Sequence, residues 1–190
     1  MIVPLTVFLS TALSSPEVQA LRDGKVLTHL EPGNTPVHEA YAEGIVDAPP
    51  TKVWALLTDF DHYDRIYTGI EQSAVRSRSG NTIMGYFLLD FPWPLPKRWT
   101  LNATYLEPAR MRFTWRRVGG TVKDYEGSLK LYPWGDHETR MVFRALMDPG
   151  LAFVPGWLID YVSLNTLPAI VQGVRAHVND TRLSAAPVAR

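Results

Sequence analysis

The sequence contains no cysteine among its 190 residues. Thiol catalysis, disulfide bonds and cysteine-ligated zinc are therefore excluded. Net charge is absent as well, because 19 Lys and Arg residues balance 19 Asp and Glu residues. Without an overall excess of either sign, nothing in the composition attracts a polyanion, and we expect no nucleic-acid partner.

Motifs of common catalytic and phosphate-binding sites are also missing. The sequence has no serine elbow, no histidine pair at helical spacing and no phosphate-binding loop. We expect solvent around most of the five histidines, which are His29, His38, His62, His137 and His177. The acidic segment around His62 lacks the glycine and final glutamate of a calcium loop, and Asp59 and Asp61 occupy helix-capping positions. We therefore expect no catalytic residue, no metal and no cofactor.

Long hydrophobic runs are absent too. The apolar run at residues 2–13 is too short to cross a bilayer as a helix, which takes about 20 residues. Its length, and the small residues Val18 and Ala20 after it, favour a signal peptide at residues 1–20, although no positive charges precede the run. We expect an exported protein, periplasmic or secreted. The alternative is a cytoplasmic protein whose N-terminal segment is disordered or forms a peripheral helix.

The remaining chain has the length of one domain. Residues 21–36 contain Asp-Gly and Pro-Gly-Asn turn signals and indicate an N-terminal arm, which is either an entry hairpin or an extended segment. We expect the domain itself at residues 37–180, followed by a flexible tail at 181–190.

Alternation of apolar and polar residues with a period of two predicts seven strands. The predicted strands are 37–47, 70–79, 82–91, 97–107, 110–118, 122–133 and 138–147. Two short helices, at 51–58 and 62–67, are expected after the first strand. Since short turns separate the later strands, the strands form an antiparallel meander with one solvated and one buried face.

The only long helix-period segment follows these strands. From Trp157 to Val178, apolar residues recur at spacings of three and four. The predicted fold is therefore α+β, with a curved seven-stranded antiparallel sheet wrapped around a long C-terminal helix. A filled core and a hollow interior are both compatible with this pattern.

If the interior is hollow, its lining is aromatic. One face of the first strand carries only small residues and His38, which leaves room beneath the helix. Four residues, Tyr105, Tyr125, Tyr161 and Asn165, are candidate polar anchors for a ligand. The predicted ligand-binding residues are Trp99, Tyr105, Phe113, Trp115, Tyr125, Leu129, Phe143, Trp157, Tyr161 and Asn165.

Two stretches carry a family resemblance. Residues 48–63 read APPTKVWALLTDFDHY, and residues 147–158 read MDPGLAFVPGWL. Both resemble signatures of the START-like superfamily, the SRPBCC or Bet v 1-like helix-grip group. The chain is most similar to START lipid-binding members and to coenzyme-Q-binding or polyketide-cyclase-type members. Leu151 replaces a glycine that many relatives carry, so the loop at the mouth of the cavity is expected to differ. The resemblance implies a helix-grip fold around an apolar cavity.

Three functions are consistent with these features. The first is non-enzymatic binding, and transfer, of a lipid-like or polycyclic molecule in the cavity. The second is a polyketide cyclase, aromatase or hydrolase in the same cavity, which the lack of buried acids and histidines disfavours. The third is a protein-interaction module that uses the apolar loop at residues 91–96. That loop, including Phe91 and Leu95, is equally suited to transient membrane contact, with Lys97 and Arg98 facing the head groups.

Overall fold

A computed structural model describes residues 13–32, 37–91, 93, 95–151 and 154–180. These residues form one antiparallel sheet and four helices. The helices are α1 Ser15–Arg22, α2 Pro50–Leu57, α3 Tyr63–Ile66 and α4 Gly156–His177. The strands are β1 Leu27–Glu31, β2 Glu39–Val46, β3 Ile70–Ser79, β4 Thr82–Leu89, β5 Arg98–Glu107, β6 Arg112–Gly120, β7 Asp124–Trp134 and β8 Glu138–Asp148.

The sheet has the order β1-β2-β8-β7-β6-β5-β4-β3, and α4 packs across its concave face. The predicted α+β helix-grip fold is confirmed. The sheet has eight strands instead of seven, because part of the arm pairs with β2 as β1. Only five residues long, β1 is too short for alternation to distinguish it from an extended arm.

The two halves of α4 pack differently. In the second half, Leu167, Val171 and Val174 are buried against the sheet and the other helices. Gly44 permits this contact, because a Cβ there would lie 2.6 Å from a methyl carbon of Val171. In the first half, Trp157 and Tyr161 face outward, so the apolar face predicted for this half is wrong. Residues on its opposite side face the sheet.

Strand β5 is also turned relative to the prediction. Asn102 lies opposite Gly85 in the register, and cross-strand partners point to the same face of a sheet. Since β4 buries Ile83 and Phe87 on that face, the polar residues of β5 point inward. Trp99 and Tyr105 consequently lie on the outer face.

Helix α1 packs against β1 and β2 at one edge of the sheet. Leu21 of this helix is buried, and Arg175 Nη1 donates to the carbonyl oxygen of Gly24 at 2.8 Å. The predicted cleavage position after Ala20 falls inside α1. Residues 1–12 of the predicted signal peptide and the predicted tail at 181–190 lie outside the described residues, and export stays a prediction.

The acidic segment near α3 is bound to protein groups. The Asp59 carboxylate lies 2.7 Å from His62 Nδ1, and Asp61 accepts a hydrogen bond from the backbone N–H of Val75 at 2.7 Å. Within the described ranges, no cluster of His, Asp and Glu has the arrangement of a metal site. The helices in those ranges are too short or too polar to cross a bilayer.

Candidate ligand-binding cavity

A cavity of about 500 Å³ lies between the concave face of the sheet and the first half of α4. Its floor contains small residues, since Ala145 of β8 lies between Ala40 of β2 and Gly127 of β7 in the register. On the helix side, Ile159 and Val162 line the space. The hollow interior therefore arises where bulky helix residues turn outward above small sheet residues.

Five of the ten predicted site residues lie on the cavity wall. They come from three neighbouring strands and are Phe113, Trp115, Tyr125, Leu129 and Phe143. Four of their side chains form an aromatic cluster. The ring of Trp115 has its centroid 5.9 Å from that of Phe113, 5.7 Å from that of Tyr125 and 5.5 Å from that of Phe143. Such rings provide rigid apolar contact area.

The other five predicted residues lie outside the cavity. Trp99 and Tyr105 are 38% and 51% exposed on the outer face of β5. Trp157 and Tyr161 are 68% and 63% exposed on the outer side of α4. The amide nitrogen of Asn165 donates to the Tyr161 carbonyl oxygen at 2.7 Å, which places it on the same outer side.

Sequence reasoning missed several polar residues of the wall. Asn102 and Thr104 line the cavity because of the orientation of β5, and Tyr67 lines it from the connection after α3. His38, for which we expect solvent, also borders the cavity, and its Nδ1 lies 2.8 Å from an Asp160 oxygen on α4. The only feature of the sequence that indicated any of these wall residues is the small-residue face of the first strand, which includes His38.

Phe91 and Leu95 of the Pro-rich segment and Pro149 before α4 line one side of the cavity, and we refer to this side as its mouth. Leu95 and Pro149 are buried there, whereas Trp93 is 93% exposed. Partial burial opposes ionisation of Asp148, yet hydrogen bonds from Lys123 Nζ and the Gly150 N–H hold the pKa of its carboxyl below its usual range. The Asp148 carboxylate thus joins the turn after β8 to Lys123 at 2.9 Å.

A comparison with protein families matches residues 38–183 to the family described as polyketide cyclase/dehydrase and lipid transport. The match spans most of the chain and includes the whole cavity wall. The chain belongs to this family. The family description covers polyketide cyclases and dehydrases as well as lipid transport. A search of curated proteins found no match to this family member.

Solved structures with the same fold include lipid transfer proteins and an aromatase/cyclase. A STAR-related lipid transfer protein from Xanthomonas axonopodis is 16% identical, with a TM-score of 0.69 over 82% of this chain and 94% of that one. An aromatase/cyclase from Streptomyces sp. R1128 is 16% identical, with a TM-score of 0.61 over 80% and 98%. Human StAR-related lipid transfer protein 5 is 12% identical, with a TM-score of 0.68 over 84% of each. The START-like resemblance is thereby confirmed at the level of the fold.

Three partly buried tyrosines give this family member a predictable pH dependence. Burial raises the pKa of Tyr63, Tyr67 and Tyr125 well above the ordinary value of about 10. In the folded state these hydroxyls keep protons that the unfolded chain releases above pH ~10. The free energy of unfolding is therefore expected to fall as pH rises above that point.

Ultraviolet absorbance of tyrosinate, followed together with unfolding, measures this effect. These three tyrosines are expected to ionise at higher pH than exposed tyrosines, together with unfolding. Replacing Tyr67 and Tyr125 with Phe should make the loss of stability above pH ~10 less steep. Ionisation of all tyrosines in the still-folded protein would contradict the expectation.

Proposed function

We propose that the protein binds and carries a hydrophobic lipid-like or polycyclic molecule in its cavity, without chemical conversion. The observation that carries the proposal is the cavity itself, whose wall is mainly aromatic and aliphatic. Burial of apolar surface supplies affinity for such a ligand at about 25 cal/mol per Å². The cavity volume is that of a site for one drug-sized molecule. The lipid transfer proteins among the structural neighbours support the same function.

Titration with a fluorescent sterol, a fluorescent fatty acid and a fluorescent polycyclic hydrocarbon tests the proposal. We expect saturable binding of one molecule per chain to at least one of these probes, with displacement by its unlabelled form. Transfer of the bound probe from donor to acceptor vesicles then measures carriage. If none of the three probes binds saturably, the proposed function is wrong.

We further propose that the cavity mouth touches a membrane surface during exchange. Trp93, Trp157 and Tyr161 are large aromatic side chains, more than half exposed, on the two elements that border the mouth. Aromatic side chains of this kind favour the interface between water and lipid. Lys97, expected to meet head groups, instead pairs with Glu71, so the aromatic residues provide the main contact.

Replacing Trp93 and Trp157 together with Ala should weaken binding to vesicles of phosphatidylcholine and phosphatidylglycerol. Each lost side chain is expected to reduce vesicle affinity roughly tenfold, since partial burial of a tryptophan is worth more than 1 kcal/mol. Vesicle flotation measures the affinity. The control is Tyr105→Ala, which removes an exposed aromatic residue from the outer face of the sheet. Equal losses in both variants would contradict a contact at the mouth.

One observation favours a second function, catalysis of cyclisation. His38 borders the cavity, and its Nδ1 lies 2.8 Å from an Asp160 oxygen. A histidine held in this way can use Nε2 as a general base, and no described residue bonds to that nitrogen in His38. A poly-β-ketone thioester would then be cyclised by the wild type and not by His38→Gln, while both bind it equally. Absence of turnover by the wild type excludes this second function.

A further inference from the structure

Strands β4 and β5 carry a continuous apolar strip on the outer face of the sheet, the side away from the cavity. Cross-strand partners point to the same face of a sheet. The outward pairs are Leu88 with Trp99, Tyr86 with Leu101, Met84 with Ala103 and Thr82 with Tyr105. All of these side chains are half-buried or exposed, and Trp99 and Tyr105 are 38% and 51% exposed. Contiguous apolar surface of this kind is typical of an interaction site.

An arginine flanks the strip on each of its long sides. On β3, the exposed Arg76 occupies a bulge, and its guanidinium lies 4.9 Å from the centre of the Tyr86 ring. On β6, the exposed Arg116 lies opposite Ala103. Among the described residues, neither arginine has an ion-pair partner. Glu126 lies on the far side of Arg116 from the strip, and these two described side chains form no ion pair.

The carboxylates at the two ends of the strip lie next to cations. At one end, Glu107 pairs with Arg110 at 2.9 Å. At the other end, Lys97 pairs with Glu71 and is also attracted by the charge of Asp90. An anionic group is therefore attracted to the long sides of the strip and not to its ends.

The strip has the dimensions of one α-helix. Neighbouring strands are about 5 Å apart, so two strands present a surface roughly 10 Å wide, which is the diameter of a helix. From Trp99 to Tyr105 the strip is about 20 Å long, and a helix covers this length in about 13 residues. Arg76 and Arg116 belong to the strands on either side of β4 and β5. The two arginines therefore lie beside the two flanks of a helix placed along the strip.

The packing of the outer aromatic side chains favours a protein partner over a bilayer. The ring centroids of Tyr86 and Trp99 are 5.8 Å apart, and the rings are inclined by only 33°. Because of this packing Trp99 lies against its neighbours, whereas Trp93 at the mouth is 93% exposed and projects from the surface. A nucleic acid is also disfavoured, since two unpaired arginines neutralise few phosphates.

We propose that this strip docks an acidic amphipathic α-helix of a partner protein. The apolar face of that helix lies on Tyr86, Trp99 and Leu101, and Asp or Glu residues on its two flanks pair with Arg76 and Arg116. Recognition of this kind uses apolar anchors at helical spacing for affinity and flanking charges for orientation. The inference concerns the outer face alone and is independent of what the cavity holds.

Nitrogen–proton NMR of the tryptophan indole groups tests the proposal with two designed peptides. Both are alanine-rich and about 20 residues long, so that they are helical on their own. Each carries leucines on one face, with Glu on both flanks in the first peptide and Lys in the second. The Trp99 signal, assigned with Trp99→Phe, should move with the acidic peptide at or below about 1 mM, while those of Trp93 and Trp115 stay in place. The basic peptide should bind about tenfold more weakly.

Two variants assign the preference to the flanking arginines. Arg76→Gln and Arg116→Gln should each weaken binding of the acidic peptide roughly two- to fivefold, which is the range for one exposed ion pair. The matched control is Arg22→Gln, which removes an exposed arginine of α1 at the opposite edge of the sheet and should leave binding unchanged. All three side chains are exposed, so we expect the variants to fold.

Each other outcome overturns the proposal. A Trp99 signal that stays in place with the acidic peptide shows that the strip does not dock such a helix. Equal binding of the two peptides shows that the arginines select nothing. Movement of the Trp115 signal places the peptide in the cavity. A Trp99 signal that moves with phosphatidylglycerol vesicles or with single-stranded oligothymidine, and not with the acidic peptide, assigns the strip to a membrane or to a nucleic acid.

Discussion

Replacing Ala145 with Phe is expected to abolish binding of the apolar probes while changing the free energy of unfolding by less than ~1 kcal/mol. Ala145 lies on the cavity floor between Ala40 and Gly127. A phenyl ring at this position would occupy space that a ligand needs. Because no described protein atom fills this space, the new ring displaces none and buries additional apolar surface.

The matched control is Ala42→Phe. Ala42 is the next inward-facing residue of β2 after Ala40, the partner of Ala145. Ala42 is completely buried, pairs with Phe143 and does not line the cavity. Overpacking of a filled region costs about 1–3 kcal/mol and occasionally more. Urea unfolding of both variants measures the difference. If Ala145→Phe loses as much stability as Ala42→Phe, the interior is filled and the cavity is not available to a ligand.

Replacing Glu43 with Ala is expected to cost about 3–5 kcal/mol of folding stability. Glu43 is fully buried on the convex side of the sheet. Its two carboxylate oxygens accept hydrogen bonds from Tyr41 Oη and Arg140 Nε. Removing the carboxylate leaves a largely buried guanidinium without its ion-pair partner, and proteins of this size are only marginally stable.

Glu39→Ala is the control for this prediction. Glu39 lies on the same strand and pairs with Arg144 at 3.0 Å, but its side chain is partly exposed. Such a pair contributes about 0–1 kcal/mol. Urea midpoints at constant slope give the comparison. Equal losses in the two variants would show that the Glu43 pair has no special role in holding the convex side together.

Much of the fold could be predicted because its signals are local. Turn residues separate the strands, and the spacing from Trp157 to Val178 is helical. Strand β1 could not be distinguished from an extended arm, since five residues give too few alternations. Its pairing is set by β2, a contact that no single segment of the sequence contains.

The orientation of elements was harder to predict than their existence. In β4, the outward Met84 and Tyr86 are as apolar as the inward Ile83 and Phe87, so alternation does not identify the buried face. The error then extends to β5, because Asn102 takes its face from its partner Gly85. Hydrophobicity favours burying the aromatic face of β5, and the register overrides it.

The candidate site was predicted only in part, because the inward face was assigned correctly for some elements and wrongly for others. Strands β6 to β8 have one clearly apolar face, and the residues predicted from them line the wall. Trp157 and Tyr161 were assigned inward because large apolar residues usually pack inside. At a cavity mouth this rule fails, since the first half of α4 has no packed core beneath it and carries its largest side chains on the solvent side.

Native mass spectrometry of the protein purified from the cells that produce it tests most directly whether the cavity carries an apolar ligand. We expect a mass above that of the chain, with organic extraction releasing one apolar molecule per protein. Ala145→Phe purified in the same way should have the mass of the chain alone. A wild-type protein that carries no ligand from its host and takes up none from a lipid extract of that host would contradict the proposed carrier function.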